Sequence, residues 1–119
     1  MFINFSNHPS EKWSYEQRQA ALQYGDIADI PFPNVDADCS ESAIRLMAKE
    51  YADRIIDMRP DYVLCQGEFC LAYNVISLLK ESGVHVGAAC SERQAVETVA
   101  EDGSTERTSV FRFVQFREY

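Results

Sequence analysis

The chain has 119 residues, a net charge of −8 and a pI near 4.6, with 46% hydrophobic and 25% charged residues. That is the length of one domain and the composition of an ordinary soluble globule. The acidity argues against a duplex-binding surface, which needs clustered Lys and Arg. With no apolar run near ~20 residues and no signal-peptide pattern, no membrane partner and a cytoplasmic location are expected.

Phe2-Ile3-Asn4-Phe5 is short and β-rich and predicts the first strand. Trp13 to Tyr24 carries apolar residues at near-helical spacing, with Ser10 or Ser14 as a cap and Gly25 as a stop. Asp26 to Ile30 predicts the second strand, ended by Pro31-Phe32-Pro33. A second helix opens at Ser40-Glu41-Ser42, and Ile44, Met47, Tyr51, Ile55 and Met58 form its apolar stripe. Tyr62 to Cys65 reads as the third strand. Gly67 and Glu68 lead into a third helix that stops at Gly83. Val84 to Cys90 is near-continuously apolar, as in a strand buried on both faces.

The C-terminal part changes style. Ala95 to Val99 and Thr108 to Phe116 flank Asp102-Gly103, a hairpin signal. Val110, Phe111, Phe113, Val114 and Phe116 would put apolar residues on both faces of one strand, which predicts helix cover or a dimer interface. Alternation of strand and helix predicts an α/β fold with a mainly parallel sheet in the order 2-1-3-4 and a C-terminal β-hairpin at its edge, in a single domain over residues 1–119.

In such a sheet, ligands bind at the carboxyl ends of the strands, near the switch in strand order. Three polar loops fall there: Ser6-Asn7-His8-Pro9-Ser10, Gln66-Gly67-Glu68 and Ser91-Glu92-Arg93. His8 suits proton transfer near neutral pH. Arg93, the cation among these loops, suits a phosphate clamp, against a surface ion pair with Glu92 or Glu97. Gln66 can read a base edge or make a structural hydrogen bond. Gly67 allows either a close ligand approach or a tight turn. Glu68 at a helix start has a sufficient structural reason in the helix dipole. Ser6, Ser10 and Ser91 can cap turns.

Other chemistries have weaker signals. Cys39, Cys65, Cys70 and Cys90 contain no CxxC pair, which leaves reduced, packed thiols as the plain reading and a Cys90 thiolate as the reactive one. His85 sits in an apolar stretch and reads as a core or sheet-face residue. No Walker or GxGxxG pattern occurs. A Ser91–His8–Glu68 hydrolase lacks the GxSxG elbow. His8, Glu68 and Glu92 have no diagnostic metal spacing.

The segments Ile3-Asn4-Phe5-Ser6-Asn7-His8-Pro9, Gln66-Gly67-Glu68-Phe69 and Cys90-Ser91-Glu92-Arg93 resemble small stand-alone CRISPR-associated proteins of type III systems. Those families resemble the CRISPR-associated Rossmann-fold (CARF) domain. The resemblance implies a Rossmann-like three-layer sandwich and a homodimer that binds a cyclic oligoadenylate, cyclic tetra-adenylate foremost. It also implies a ring nuclease that needs neither metal nor cofactor and leaves 2′,3′-cyclic phosphate ends. His8 and Arg93 would be catalytic. Ser6, Asn7, Ser10, Gln66, Gly67, Glu68, Phe69, Ser91 and Glu92 would contact the ligand. The absence of Lys from these loops departs from the basic sites such ligands usually meet. The alternatives are a sensor or sponge that binds without cutting, and a nucleoside-processing hydrolase or transferase with Glu68 or Glu92 as nucleophile.

Overall fold

The computed structural model describes residues 1–119. Five strands form one sheet: β1 (Phe2–Ser6), β2 (Ile27–Pro31), β3 (Tyr62–Cys65), β4 (Val86–Val99) and β5 (Thr105–Glu118). Three helices connect them: α1 (Tyr15–Leu22), α2 (Glu41–Asp57) and α3 (Phe69–Glu81). The sheet order is β2-β1-β3-β4-β5, parallel throughout except for the antiparallel β4–β5 pair. No helix is long and apolar enough to cross a membrane.

The central strands are buried along their whole length, as their apolar runs require. On one face, Ile3, Phe5, Val63, Cys65 and Val86 meet α2 and α3. The stripe of α2 differs from its sequence reading. Ile44, Ala48, Ala52 and Ile55 are buried, while Met47, Tyr51 and Met58 pack at the margins. Alanines at the centre let the helix approach closely, and the larger side chains fill its flanks. From α3, Leu71, Ala72, Val75 and Leu79 complete this core.

The other face is aromatic. Phe2, Trp13, Ala21, Tyr62 and Leu64 are buried there, with Phe116 against them. Phe2 stacks on Tyr62 with ring centroids 5.7 Å apart and meets Trp13 edge-on at 6.0 Å. Burial pushes the Tyr62 hydroxyl up to about 12, with the Glu118 carboxylate adding to the shift. Only the short α1 covers this face, and the sheet beside it stays open.

The C-terminal strands differ most from expectation. The expected fourth strand and the first arm of the hairpin are one strand, β4, 14 residues long. It pairs with β3 only at Val86 and Gly87. Beyond them it pairs with β5 alone, as a two-stranded ribbon. A one-residue shift lies between Cys90 and Ser91: Cys90 faces Gln115 and Ser91 faces Phe113, so Val114 is extra. The bulge inverts the alternation of β5. Phe113 and Phe116, three apart, therefore share a face with centroids 4.9 Å apart.

Smaller corrections follow from local packing. The first helix begins later than expected, at Tyr15 with Ser14 as its cap, after a 3₁₀ turn over Ser10–Lys12. His85 is an exposed residue ahead of β4, hydrogen-bonded to Glu118, not a core histidine. Cys65 alone of the thiols is fully buried; Cys39 and Cys90 are partly buried and Cys70 is exposed.

Candidate functional site

Asn4 is a polar residue in the middle of a buried strand, 1% exposed, and its partners explain it. Its Nδ2 donates to the His8 carbonyl at 2.9 Å and to Asp29 Oδ1 at 3.2 Å. Its Oδ1 accepts from Ser6 Oγ at 2.6 Å. The indole Nε1 of Trp13 donates to the same His8 carbonyl at 3.1 Å. Asp29 Oδ2 accepts from the Ser10 amide at 2.9 Å. The loop after β1 is thus fastened through its backbone, while the side chains of Asn7 and His8 remain exposed.

The loop after β3 sits one strand over. The Gln66 amide donates to the Phe5 carbonyl, and Gln66 Oε1 accepts from the Ala89 amide at 3.2 Å. Gln66 therefore ties β1, β3 and β4 together. A Cβ on Gly67 would lie 2.5 Å from the ring of Phe32, a buried residue. Glycine is needed there for that packing alone.

These loops, α1 and the ribbon enclose an open concavity of about 700 Å³, within the usual range for small-ligand sites. Ser6, Asn7 and His8 form one side, with Gln66 and Gly67 beside them. Lys12, Trp13, Ser14 and Gln17 form the second wall, and Ala89, Ser91, Phe111 and Phe113 the third. The bulge at Val114 builds this third wall, because it keeps Phe111 and Phe113 on the face of Phe116.

Six expected site residues line this space: the catalytic candidate His8 and the contact residues Ser6, Asn7, Gln66, Gly67 and Ser91. The others do not. Glu68 caps α3 by accepting from the Cys70 and Leu71 amides at 3.0 and 2.8 Å, and these bonds hold its carboxyl below the usual range. Phe69 is 89% exposed. Ser10 is engaged through its backbone. Glu92 alternates onto the opposite ribbon face from Ser91. Arg93 shares the face of Ser91 but lies farther out, and its Nε donates to Ser109 Oγ at 3.1 Å. His8, Glu68 and Glu92 form no metal-binding cluster.

Sequence reasoning missed Lys12 and Gln17. Lys12 lies outside the three segments, which hold no lysine, yet lines the concavity; it is exposed and takes part in no ion pair. Gln17 is 9% exposed, and its side chain makes no hydrogen bond within the chain. No buried side-chain polar atom lacks a partner, so the Gln17 amide meets the open space it lines. The available signal was the Lys12-Trp13 pair directly after the first polar loop.

The electrostatics of the site depart from those of the whole chain. Nineteen of the 119 residues are Asp or Glu, yet none of the 14 that line the concavity is acidic. Its charged and titratable groups are Lys12 and His8. Hydroxyls and amides supply hydrogen bonds, and Phe111 and Phe113 supply aromatic faces. Such a surface suits a ligand with both a phosphate and a planar ring.

No curated protein and no solved structure matches the chain. A family model does match, over residues 1–117. The chain belongs to the uncharacterized protein MJ1673 family.

Proposed function

We propose that the concavity binds a cyclic oligoadenylate, cyclic tetra-adenylate foremost, and that the protein is a ring nuclease on a Rossmann-like fold. The observation that carries this reading is the acid-free lining, with Lys12, His8 and the unpartnered Gln17 amide facing Phe111 and Phe113. The resemblance of the three sequence segments to small type III CRISPR-associated proteins supplies the choice of ligand, and implies a homodimer.

In this reading adenine stacks on Phe111 or Phe113, and Gln17 and Gln66 address its edge or the ribose. His8 takes the proton of a ribose 2′-hydroxyl, whose oxygen attacks the adjacent phosphorus. The P–O5′ bond breaks, the 5′-oxygen takes a proton from solvent water, His8 returns its proton to solvent, and a 2′,3′-cyclic phosphate remains. Lys12 offsets the charge that grows on the phosphoryl oxygens, in place of Arg93. The nucleoside-hydrolase alternative draws no support from the site, since Glu68 caps a helix and no carboxylate lines the concavity.

Incubation with cyclic tri-, tetra- and hexa-adenylate in EDTA, followed by chromatography, tests the reaction. Linear products with 2′,3′-cyclic phosphate ends are expected. His8→Ala should slow their formation about 100-fold or more, the usual size of a lost general base. Cleavage undiminished in both His8→Ala and Lys12→Ala refutes the residue roles. One observation favours a binder that does not cut: the His8 imidazole has no hydrogen-bond partner in the chain to fix its orientation. Saturable binding without product identifies that case.

A further inference from the structure

The ribbon exposes more surface than a chain of this mass should. A compact 13.6 kDa monomer has about 6,600 Å² of accessible surface, whereas this chain has 7944 Å². Its radius of gyration is 17.4 Å, against about 13.5 Å for a compact chain of this length. The long axis reaches 57 Å. The ribbon from Ser91 to Val99 runs about 30 Å beyond the sheet. A lone two-stranded hairpin is marginal in water, and this one leaves Phe111 75% and Val99 74% exposed. The surface excess, about 1,300 Å², exceeds the roughly 800 Å² that each partner contributes to a standard interface.

We propose that this ribbon is an arm that packs face to face on the same arm of a second copy of the chain. The pattern of the face that carries Phe111 selects a copy over another partner. Its residue pairs, from base to tip, include Arg93–Phe111, Ala95–Ser109 and Glu97–Arg107. The middle pair is small. A two-fold axis crossing the arm there, perpendicular to the strands, lays β4 on β4 and β5 on β5. Glu97 and Arg107 already pair within each chain at 2.9 Å. The operation sets Arg93 against the partner's Glu97 and the Phe111 ring against the partner's Arg107, adding an ion contact and a cation–π contact to that pair. Two closely approaching small pairs separate them. An isologous interface requires this self-complementarity. The same operation puts the partner's Val99 above Ser91, at the rim of the concavity, so the second copy covers its open side.

This inference deepens the homodimer that accompanies the nucleotide reading, but its test contains no nucleotide. The two failures are distinguishable: a single-chain mass is read without nucleotide, and absence of nucleotide binding by a protein that still has twice the chain mass leaves the arm standing. Sedimentation equilibrium at micromolar protein should give twice the chain mass of 13.6 kDa. Phe111→Glu should give the single mass. Arg93→Glu, which turns a polar exposed position against the partner's Glu97, should weaken the dimer at least tenfold. Val110→Glu, on the opposite face, should leave it intact, with circular dichroism reporting unchanged β content in all three. A single-chain mass for the unaltered protein overturns the proposal. So does a dimer that survives Phe111→Glu and Arg93→Glu, or one that Val110→Glu abolishes.

Discussion

Asn4→Asp changes one nitrogen to oxygen at a buried site and should damage the loop after β1 out of proportion to its size. The Asn4 Nδ2 donates to the His8 carbonyl at 2.9 Å and to Asp29 Oδ1 at 3.2 Å. An aspartate there presents an acceptor to both, and puts a charge 1% exposed beside another carboxylate. An uncompensated buried charge costs about 3–5 kcal/mol, a fifth or more of the roughly 5–15 kcal/mol that holds a small domain folded. The melting temperature at pH 7 should fall by about 10–20 °C. Burial and Asp29 would raise the new carboxyl above its unfolded value. The folded state then binds more protons, so the deficit relative to the unaltered protein is small near pH 4 and grows as pH rises through the folded value. Thermal melts by circular dichroism from pH 4 to pH 8, run on both proteins, measure this difference. A variant that melts within about 3 °C of the parent at pH 7, or whose deficit shrinks as pH rises, refutes the role given to Asn4.

Three further outcomes are expected. Gly87→Ala should unfold the junction of β3, β4 and β5, because a Cβ there runs into Tyr62 Oη and lies 2.5 Å from the Arg117 carbonyl oxygen; a soluble variant with an unchanged melting temperature would contradict this. Glu68→Gln should lower stability above the usual carboxylate range and leave it unchanged in acid. The carboxyl of Glu68 is depressed in the fold by the Leu71 and Cys70 amides, so its contribution is present above the unfolded value and lost as pH falls through the folded one. Native protein at pH 8 should lose Cys70, which is exposed, to a thiol reagent while retaining Cys65, whose thiol burial pushes up to about 12; equal labelling rates would count against that burial.

Much of the scaffold was legible because its signals are local. The run Tyr62-Val63-Leu64-Cys65, the spacing along α2 and the Pro and Gly stops each fix an element without reference to the rest of the chain. Two of the three expected polar loops, after β1 and β3, were legible for the same reason and line the concavity. The third, Ser91-Glu92-Arg93, is not a loop but the middle of β4, where polar residues continue the strand because the ribbon is exposed on both faces. The bulge at Val114 was not legible. It has no glycine or proline to mark it, yet one extra residue reverses the face of every side chain beyond it. That reversal turns Phe111 and Phe113 into a wall of the site. Arg93 lies outside the lining of the concavity because two residues along β4 carry it nearly 7 Å past Ser91. Lys12 and Gln17 were missed because they reach the site from the connection after β1 and from α1, not from a strand end.

Trp13 is the chain's single tryptophan, and it lines the concavity. Its fluorescence therefore reports on the proposed site directly. Titration with cyclic tetra-adenylate in EDTA should produce a saturable change at micromolar ligand. Lys12→Glu should weaken that binding at least tenfold, and added salt should weaken it further, as expected for a phosphate contact. No change in Trp13 emission up to about 100 μM cyclic tri-, tetra- or hexa-adenylate, a limit of only about −5.5 kcal/mol, would contradict the claim that this concavity is a site for cyclic oligoadenylates.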